Sequence, residues 1–293
     1  MMDRVAVVGL GLIGGSFAAG LKQKELAGHI SAFDVDAAGL DSGLQQGIID
    51  SVAESVADAC KDADLVMISV PVLSVQSILQ DISPTSLITD VGSVKAPIIE
   101  ASRAVFGDVP STLVPGHPIA GSEQHGVAAA DPRLFEKHRV ILTPVESTDP
   151  ASTDQVRQLW QGLGSTVIEM SVEHHDWVLA QTSHLPHLLA YALVDSLSSQ
   201  GDSMEVFQYA AGGFRDFSRI AASDPVMWRD IFQANGPAVL SILDRFLDEL
   251  GDIRQMIAQG DSEALEQVFQ RAKEARDHYS EQNSEQNSEQ NAQ

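Results

Sequence analysis

The chain is poor in positive charge. Against 41 Asp and Glu residues it sets only 18 Lys and Arg, a formal net charge of −23 over 293 residues. Such a surface repels phosphate backbones and no basic patch offsets it, so nucleic-acid binding is not expected. Anionic membrane surfaces are disfavoured for the same reason. An anionic substrate stays possible, but its site must be built locally, from helix N-termini and a few placed cations. Cysteine is nearly absent. Cys60 stands alone, so neither an intrachain disulfide nor a cysteine-based zinc site can form. No run of 18 apolar residues occurs, so no membrane span is expected. Nor is there a basic segment followed by a cleavable apolar stretch: Met1-Met2-Asp3-Arg4 leads straight into Val5-Ala6-Val7-Val8. The expectation is a soluble cytoplasmic protein.

What the chain does have is apolar material for a sizeable core, 44% of residues. At about 150 residues per domain its length suggests two domains. Up to about residue 170, short apolar runs (5–8, 29–33, 65–70, 87–91, 112–114, 140–143, 166–170) alternate with helical patterns (15–24, 75–80, 96–106, 153–163). Near-continuous apolar strands are what a parallel sheet covered on both faces requires, so residues 1–171 are expected to form a doubly wound α/β domain of Rossmann type. Beyond Met170 the spacing turns helical, over 174–197, 204–221, 225–234, 237–258 and 263–278. Ile242, Phe246, Leu250, Ile253 and Ile257 share one helix face. Residues 172–279 are thus expected to be an all-helical domain whose apolar faces form either an internal core or a dimer interface. Residues 280–293 repeat Ser-Glu-Gln-Asn three times and read as a disordered tail.

The first chemical motif is Gly9-Leu10-Gly11-Leu12-Ile13-Gly14, directly after a strand and opening a helix. Gly9 permits the tight turn, Gly11 a close approach to a pyrophosphate, and Gly14 the packing of helix on strand. Asp34, twenty residues past Gly14 at the end of the second strand, is the acid expected to accept the adenosine ribose hydroxyls. A carboxylate there repels a 2′-phosphate, and no Lys or Arg occurs between Lys24 and Lys61. NAD is therefore expected in preference to NADP. Leu12, Ile13, Val70 and Pro71 complete the expected cofactor-binding set.

Later strand ends carry Asp90-Val91-Gly92-Ser93-Val94-Lys95 and Pro115-Gly116-His117-Pro118-Ile119-Ala120-Gly121-Ser122-Glu123. His117, between Gly116 and Pro118, is expected on a constrained loop as a general base, with Ser93 available to orient it. In the helical half stand Ser183-His184-Leu185-Pro186-His187, Gly212–Arg219 and Asp224–Asp230. His184 and His187 share a face but lack an evident third ligand, so no metal is expected. Asp216 and Arg219, also three apart, read either as a solvated ion pair or as an arginine held ready for a substrate carboxylate.

Taken in order, these motifs resemble the prephenate/arogenate dehydrogenase family of tyrosine biosynthesis, and most of all its broad-specificity bacterial cyclohexadienyl dehydrogenases. The likeness spans residues 1 to about 279 and leaves out only the repeat tail. It implies NAD-dependent oxidative decarboxylation of prephenate or arogenate, with His117 accepting the ring-hydroxyl proton and Ser93 as its partner. It implies Arg219 as carboxylate anchor, Glu123 and Asp216 as a network around it, and Trp228, Ser122 and one or other of His184 and His187 as substrate-binding residues. It also implies a homodimer made through the helical domain. Neither a chorismate mutase segment ahead of the glycine loop nor a regulatory domain after the helices is expected. Two other readings stay open. One is a different NAD-dependent dehydrogenase with a helical second domain, such as a β-hydroxyacid dehydrogenase. Those enzymes use a helical-domain lysine, and the one available here, Lys273, lies near the far end. The other is a dinucleotide-sensing dimer without chemistry, against which Ser93, His117 and Arg219 together argue.

Overall fold

The computed structural model describes residues 2–121, 124–199 and 207–291, with side chains as far as Ser280. Six parallel strands make the main sheet: β1 (Met2–Val8), β2 (Ala27–Phe33), β3 (Ser51–Val52), β4 (Leu65–Ile68), β5 (Leu87–Asp90) and β6 (Leu113–Val114). Their order is β3-β2-β1-β4-β5-β6, that of a dinucleotide-binding Rossmann sheet. Side-chain alternation explains the unbroken apolar runs. Val5, Val7, Leu65 and Met67 pack on one face with Phe17, Leu21 and Trp160, while Ala6, Val8, Val66 and Ile68 pack on the other with Leu79, Ile88 and Ile98. Helices α1 (Leu12–Gln23), α2 (Ala37–Gln45), α3 (Val56–Cys60), α4 (Val75–Leu79) and α5 (Ala96–Phe106) make the connections, and α6 (Pro150–Gly162) comes after the last of these strands. In register, Val8 lies beside Phe33 and Ile68, and Ile68 beside Asp90. The loops that leave these four positions therefore open together at one end of the sheet.

The doubly wound pattern does not run to residue 171 without interruption. Three strands form a separate sheet in the order β7-β8-β9: β7 (Gly116–Ile119), β8 (Arg139–Leu142) and β9 (Thr166–Glu169), with β7 antiparallel to β8. His117 was expected on a loop and instead sits in β7, opposite Ile141. Pro118 hid the strand, since proline cannot donate to a ladder. It is tolerated because β7 is an edge.

The helical part begins with α7 (Val172–Leu179), a π turn over Ala180–His184, and α8 (Leu185–Ser198), a continuous run in place of the single helix expected over 174–197. Pro186 has no N–H for the carbonyl of Thr182, and the wider turn falls just before it, with Leu185 N donating to the Ala180 carbonyl. Of the helix expected over 204–221, residues 204–206 lie outside the described residues; in the rest the chain is extended at Ala211 and only then forms α9 (Gly212–Ser218), followed by a 3₁₀ turn over Arg219–Ala222. Then come α10 (Pro225–Ala234), α11 (Gly236–Gln259) and α12 (Ser262–Asn291). The Ser-Glu-Gln-Asn repeat, expected to be without structure, continues α12 as far as Asn291. Once a helix is nucleated, adding residues such as Glu and Gln costs little. Packing divides the chain into two compact units, Met1–Val239 and Leu240–Gln293, later than the change of pattern at residue 171. Among the described residues no helix is long and apolar enough to cross a membrane.

Candidate active site

The glycine loop runs from the end of β1 into α1. Gly9 has φ +95°, and a Cβ there would stand 2.3 Å from the carbonyl oxygen of Ser69. A Cβ on Gly14 would stand 2.0 Å from the carbonyl oxygen of Gly9, whereas one on Gly11 would meet nothing within 4 Å. Gly9 and Gly14 are thus required by the protein's own packing, and Gly11 leaves space at the loop surface. Gly11 caps α1 with no side-chain bond and no acid follows in the first turn, so the leading N–H groups are available to an anion. Asp34 is tied to the same loop: its Oδ2 accepts from Leu10 N at 2.6 Å and its Oδ1 from Asp36 N at 2.8 Å.

A cavity of about 520 Å³ opens from this loop. Gly11, Leu12, Ile13, Val70 and Pro71 line one part of it, Ser93 and His117 another, and Asp224, Met227 and Asp230 from the start of α10 close a third side. Asp224 holds that helix in place by accepting from Val226 N at 2.8 Å and Met227 N at 2.9 Å.

Behind His117 lies a buried polar chain. His117 Nδ1 meets His175 Nε2 at 2.9 Å, and His175 Nδ1 meets Asp176 Oδ1 at 2.7 Å. Asp176 in turn accepts from Lys95 N at 2.8 Å and Ala96 N at 2.9 Å. The Lys95 ammonium is fully buried; it donates to Asp90 Oδ2 and to the Gly116 carbonyl, both at 2.6 Å. Asp90 Oδ1 also accepts from Gly116 N at 3.2 Å, so the residue before His117 is clamped at both its N–H and its carbonyl. Burial pushes His117 well below the usual histidine range, and the charges of His175, Lys95 and His184 push the same way. His175 is lowered by burial despite its bond to Asp176. For Asp176 burial acts upward, but bonds from His175, Lys95 N and Ala96 N outweigh it and hold the carboxyl low. Near neutral pH, His117 is a neutral imidazole with one nitrogen left for the cavity.

Of the other expected residues, His184 and Trp228 are buried together, with ring centroids 6.0 Å apart. His187 stacks on Trp228 at 3.8 Å. Asn235 Nδ2 donates to the Asp176 carbonyl at 2.8 Å and to His184 Nδ1 at 3.1 Å, which leaves the His184 proton on Nε2. That nitrogen and Trp228 Nε1 are buried without a partner among the described residues. Burial brings His184 down to about 4. His187 is also lowered, chiefly by burial and in part by the charge of Arg219. Arg219 and Asp216 lie on the exposed surface of the 3₁₀ turn and α9, and neither lines the cavity. Ser122 and Glu123 lie outside the described residues.

Sequence reasoning missed His175, Asp176 and Asn235, and took Asp90 and Lys95 only as neighbours of Ser93. The available signal was Glu173-His174-His175-Asp176, two residues past the helix cap Ser171, four titratable residues at the start of a helix. The ring partner of His117 is His175, a residue 58 positions away, and not Ser93.

A Rossmann-type sheet with a histidine beside its glycine loop, followed by a mostly helical part, defines a class of two-part dinucleotide-binding proteins. Within that class the comparisons are specific. The family model for the prephenate dehydrogenase nucleotide-binding domain matches residues 17–169, and that for the prephenate dehydrogenase dimerization domain matches residues 171–271. The chain is 37% identical to a cyclohexadienyl dehydrogenase of Zymomonas mobilis, over 94% of this chain and 96% of that one. It is 39% identical to a prephenate dehydrogenase of Bacillus subtilis, over 94% and 76% respectively. Its structure is similar to that of prephenate dehydrogenase from A. aeolicus in complex with hydroxyphenyl propionate and NAD+, with TM-score 0.87, 36% identity and 94% and 98% coverage. The chain belongs to the prephenate dehydrogenase family.

Proposed function

We propose that the chain is an NAD-dependent dehydrogenase that oxidatively decarboxylates prephenate, arogenate or both. The products are 4-hydroxyphenylpyruvate or tyrosine, carbon dioxide and NADH. The observation that carries this reading is the position of His117, a neutral imidazole on a cavity that also reaches the glycine loop. The names of the relatives, and the NAD+ and hydroxyphenyl propionate held by the A. aeolicus enzyme, support the substrate class and the coenzyme.

The loop fits a dinucleotide. Gly11 leaves open space, the start of α1 offers N–H groups, and Asp34 keeps lone pairs for ribose hydroxyls beyond the two bonds it accepts. With no Lys or Arg between Lys24 and Lys61, nothing nearby in sequence offsets a 2′-phosphate beside Asp34, so NAD is favoured over NADP. A bound nicotinamide supplies the hydride acceptor.

The chain's own work is deprotonation and alignment. His117 accepts the ring-hydroxyl proton, and Ser93, on the same cavity wall, pairs with that hydroxyl. Loss of proton and hydride leaves a dienone conjugated to the carbon that bears the ring carboxylate. Carbon dioxide departs and the ring becomes aromatic. By the family likeness, Arg219 anchors a substrate carboxylate with Glu123 and Asp216 around it, and His184 or His187, with Trp228 and Ser122, completes the substrate surroundings; of these, Arg219, Asp216, His184, His187 and Trp228 do not line the cavity itself. Residues 172–279 form the dimerisation domain of a cytoplasmic homodimer, and residues 280–293 take no part in the chemistry.

The test is a comparison of prephenate and arogenate, each with NAD and with NADP, followed by reduced-coenzyme absorbance and released carbon dioxide. The expected result is matched NADH and carbon dioxide from at least one substrate, with NADP the poorer coenzyme. A protein that binds NAD and turns over neither substrate would be a sensor, and the reading would be wrong.

A further inference from the structure

Beyond the base itself, the buried chain behind it has a direction. We infer that His175 and Asp176 are positioning residues that set which nitrogen of His117 takes the proton and share the charge that follows. This rests on the reading of His117 as the base.

The direction follows from counting protons. Asp176 accepts at both oxygens from backbone N–H groups, Lys95 N on Oδ1 and Ala96 N on Oδ2. A carboxylate only accepts, so the 2.7 Å contact puts a proton on His175 Nδ1. A neutral His175 then carries a lone pair on Nε2. The 2.9 Å contact to His117 therefore requires a proton on His117 Nδ1. That leaves the His117 lone pair on Nε2, the nitrogen not engaged by His175, for the cavity that the residue lines. When Nε2 takes the substrate proton, the imidazolium donates from Nδ1 into a chain that ends on an anion. The groups around this chain are Lys95, which opposes the new charge, His184, and the carboxylates Asp90 and Asp176, which favour it. The clamp of Lys95 and Asp90 on Gly116 holds the His117 backbone while the chain holds its ring.

A purely structural role for the pair is the competing account, since Asp176 also ties α7 to the start of α5. Two measurements separate them. The first is histidine ¹⁵N NMR of the full chain near pH 7.5 without coenzyme or substrate. It should show His117 protonated on Nδ1 and bare on Nε2; the opposite tautomer overturns the inference whatever the protein turns over. The second is kinetic. His175→Leu removes the acceptor, and kcat should fall roughly 10–100-fold, part of the ~10²–10⁴-fold a placed base contributes. KM and the dissociation constant for NAD should stay within about twofold, so that the loss falls on kcat alone. His175→Gln, whose amide oxygen can accept the same N–H, should recover most of the loss. Unchanged kcat in a folded His175→Leu overturns the inference. If His117→Asn is inactive in the same experiment, the base reading survives alone. If the leucine variant does not fold, the wild-type tautomer decides.

Discussion

Asp34 and His117 both follow the ends of main-sheet strands, β2 and β6, but their surroundings give them different work. Asp34 is pinned by two backbone N–H groups at the mouth of the glycine loop. His117 is held through one nitrogen and buried, with Lys95 and two further histidines close by, which keeps it neutral. Its protonated form is the inactive one. Because its pKa in the folded chain lies below the ordinary 6.5, turnover should be flat across neutral pH and fall only as pH drops through that lowered value. An acid limb at or above pH 6.5 in kcat/KM would contradict this. His117→Asn should bind NAD as the wild type does, by fluorescence titration, and lose about 10²–10⁴-fold in kcat. Turnover close to normal in that variant would take the proton elsewhere.

At the scale of elements, α10 shows how one exposed residue serves the cavity. It begins at Pro225 and carries Met227 and Asp230 to the cavity wall and Trp228 to the stack with His187. Asp224 accepts from two of its leading N–H groups. Asp224→Ala should cost about 0.5–2 kcal/mol, read as a lower Tm, while Asp224→Asn, an equally good cap, should restore it. Equal melting of the alanine variant and the wild type would mean that the cap adds nothing. The elements legible in the sequence were β1 and β4 from unbroken apolar runs, β2 and β5 from shorter apolar segments at the expected spacing, and α11 from its apolar stripe. The glycine loop was legible because each glycine meets a separate constraint. β7 was not, since Pro118 masks it and its partner strand lies some twenty residues on. The π turn was not, because the spacing of 174–197 reads as one helix and only Pro186 marks the break. His175 and Asp176 were hidden for a different reason: nothing local says that a helix's first turn will be buried against Lys95 and Ala96. That depends on tertiary packing, which no spacing rule encodes.

At the scale of the whole molecule, apolar area and net charge pull in opposite directions. On α11, Leu240, Leu247, Leu250 and Ile257 are exposed by 58%, 52%, 46% and 63%. Their spacings of seven, three and seven residues keep them on one helix face. Among the two options open from composition, a stripe this exposed in a single chain favours an interface between chains, in line with the dimerization-domain match over residues 171–271. Each copy also brings a formal charge of −23, so association must overcome long-range repulsion. Salt acts on one of these terms and hardly weakens the other. Raising ionic strength from about 0.01 M to 1 M shortens the screening length from roughly 30 Å to 3 Å. Dimer association, followed by sedimentation over a concentration series, should therefore weaken at low salt and tighten as salt is added. A dimer held by ion pairs would show the reverse. Replacing Leu247 and Leu250 together by Glu places two charges in the stripe and should yield monomers at concentrations where the wild type is dimeric, with the sheet domain's far-ultraviolet signal kept. If the double variant stays dimeric, the contact between chains lies on another face.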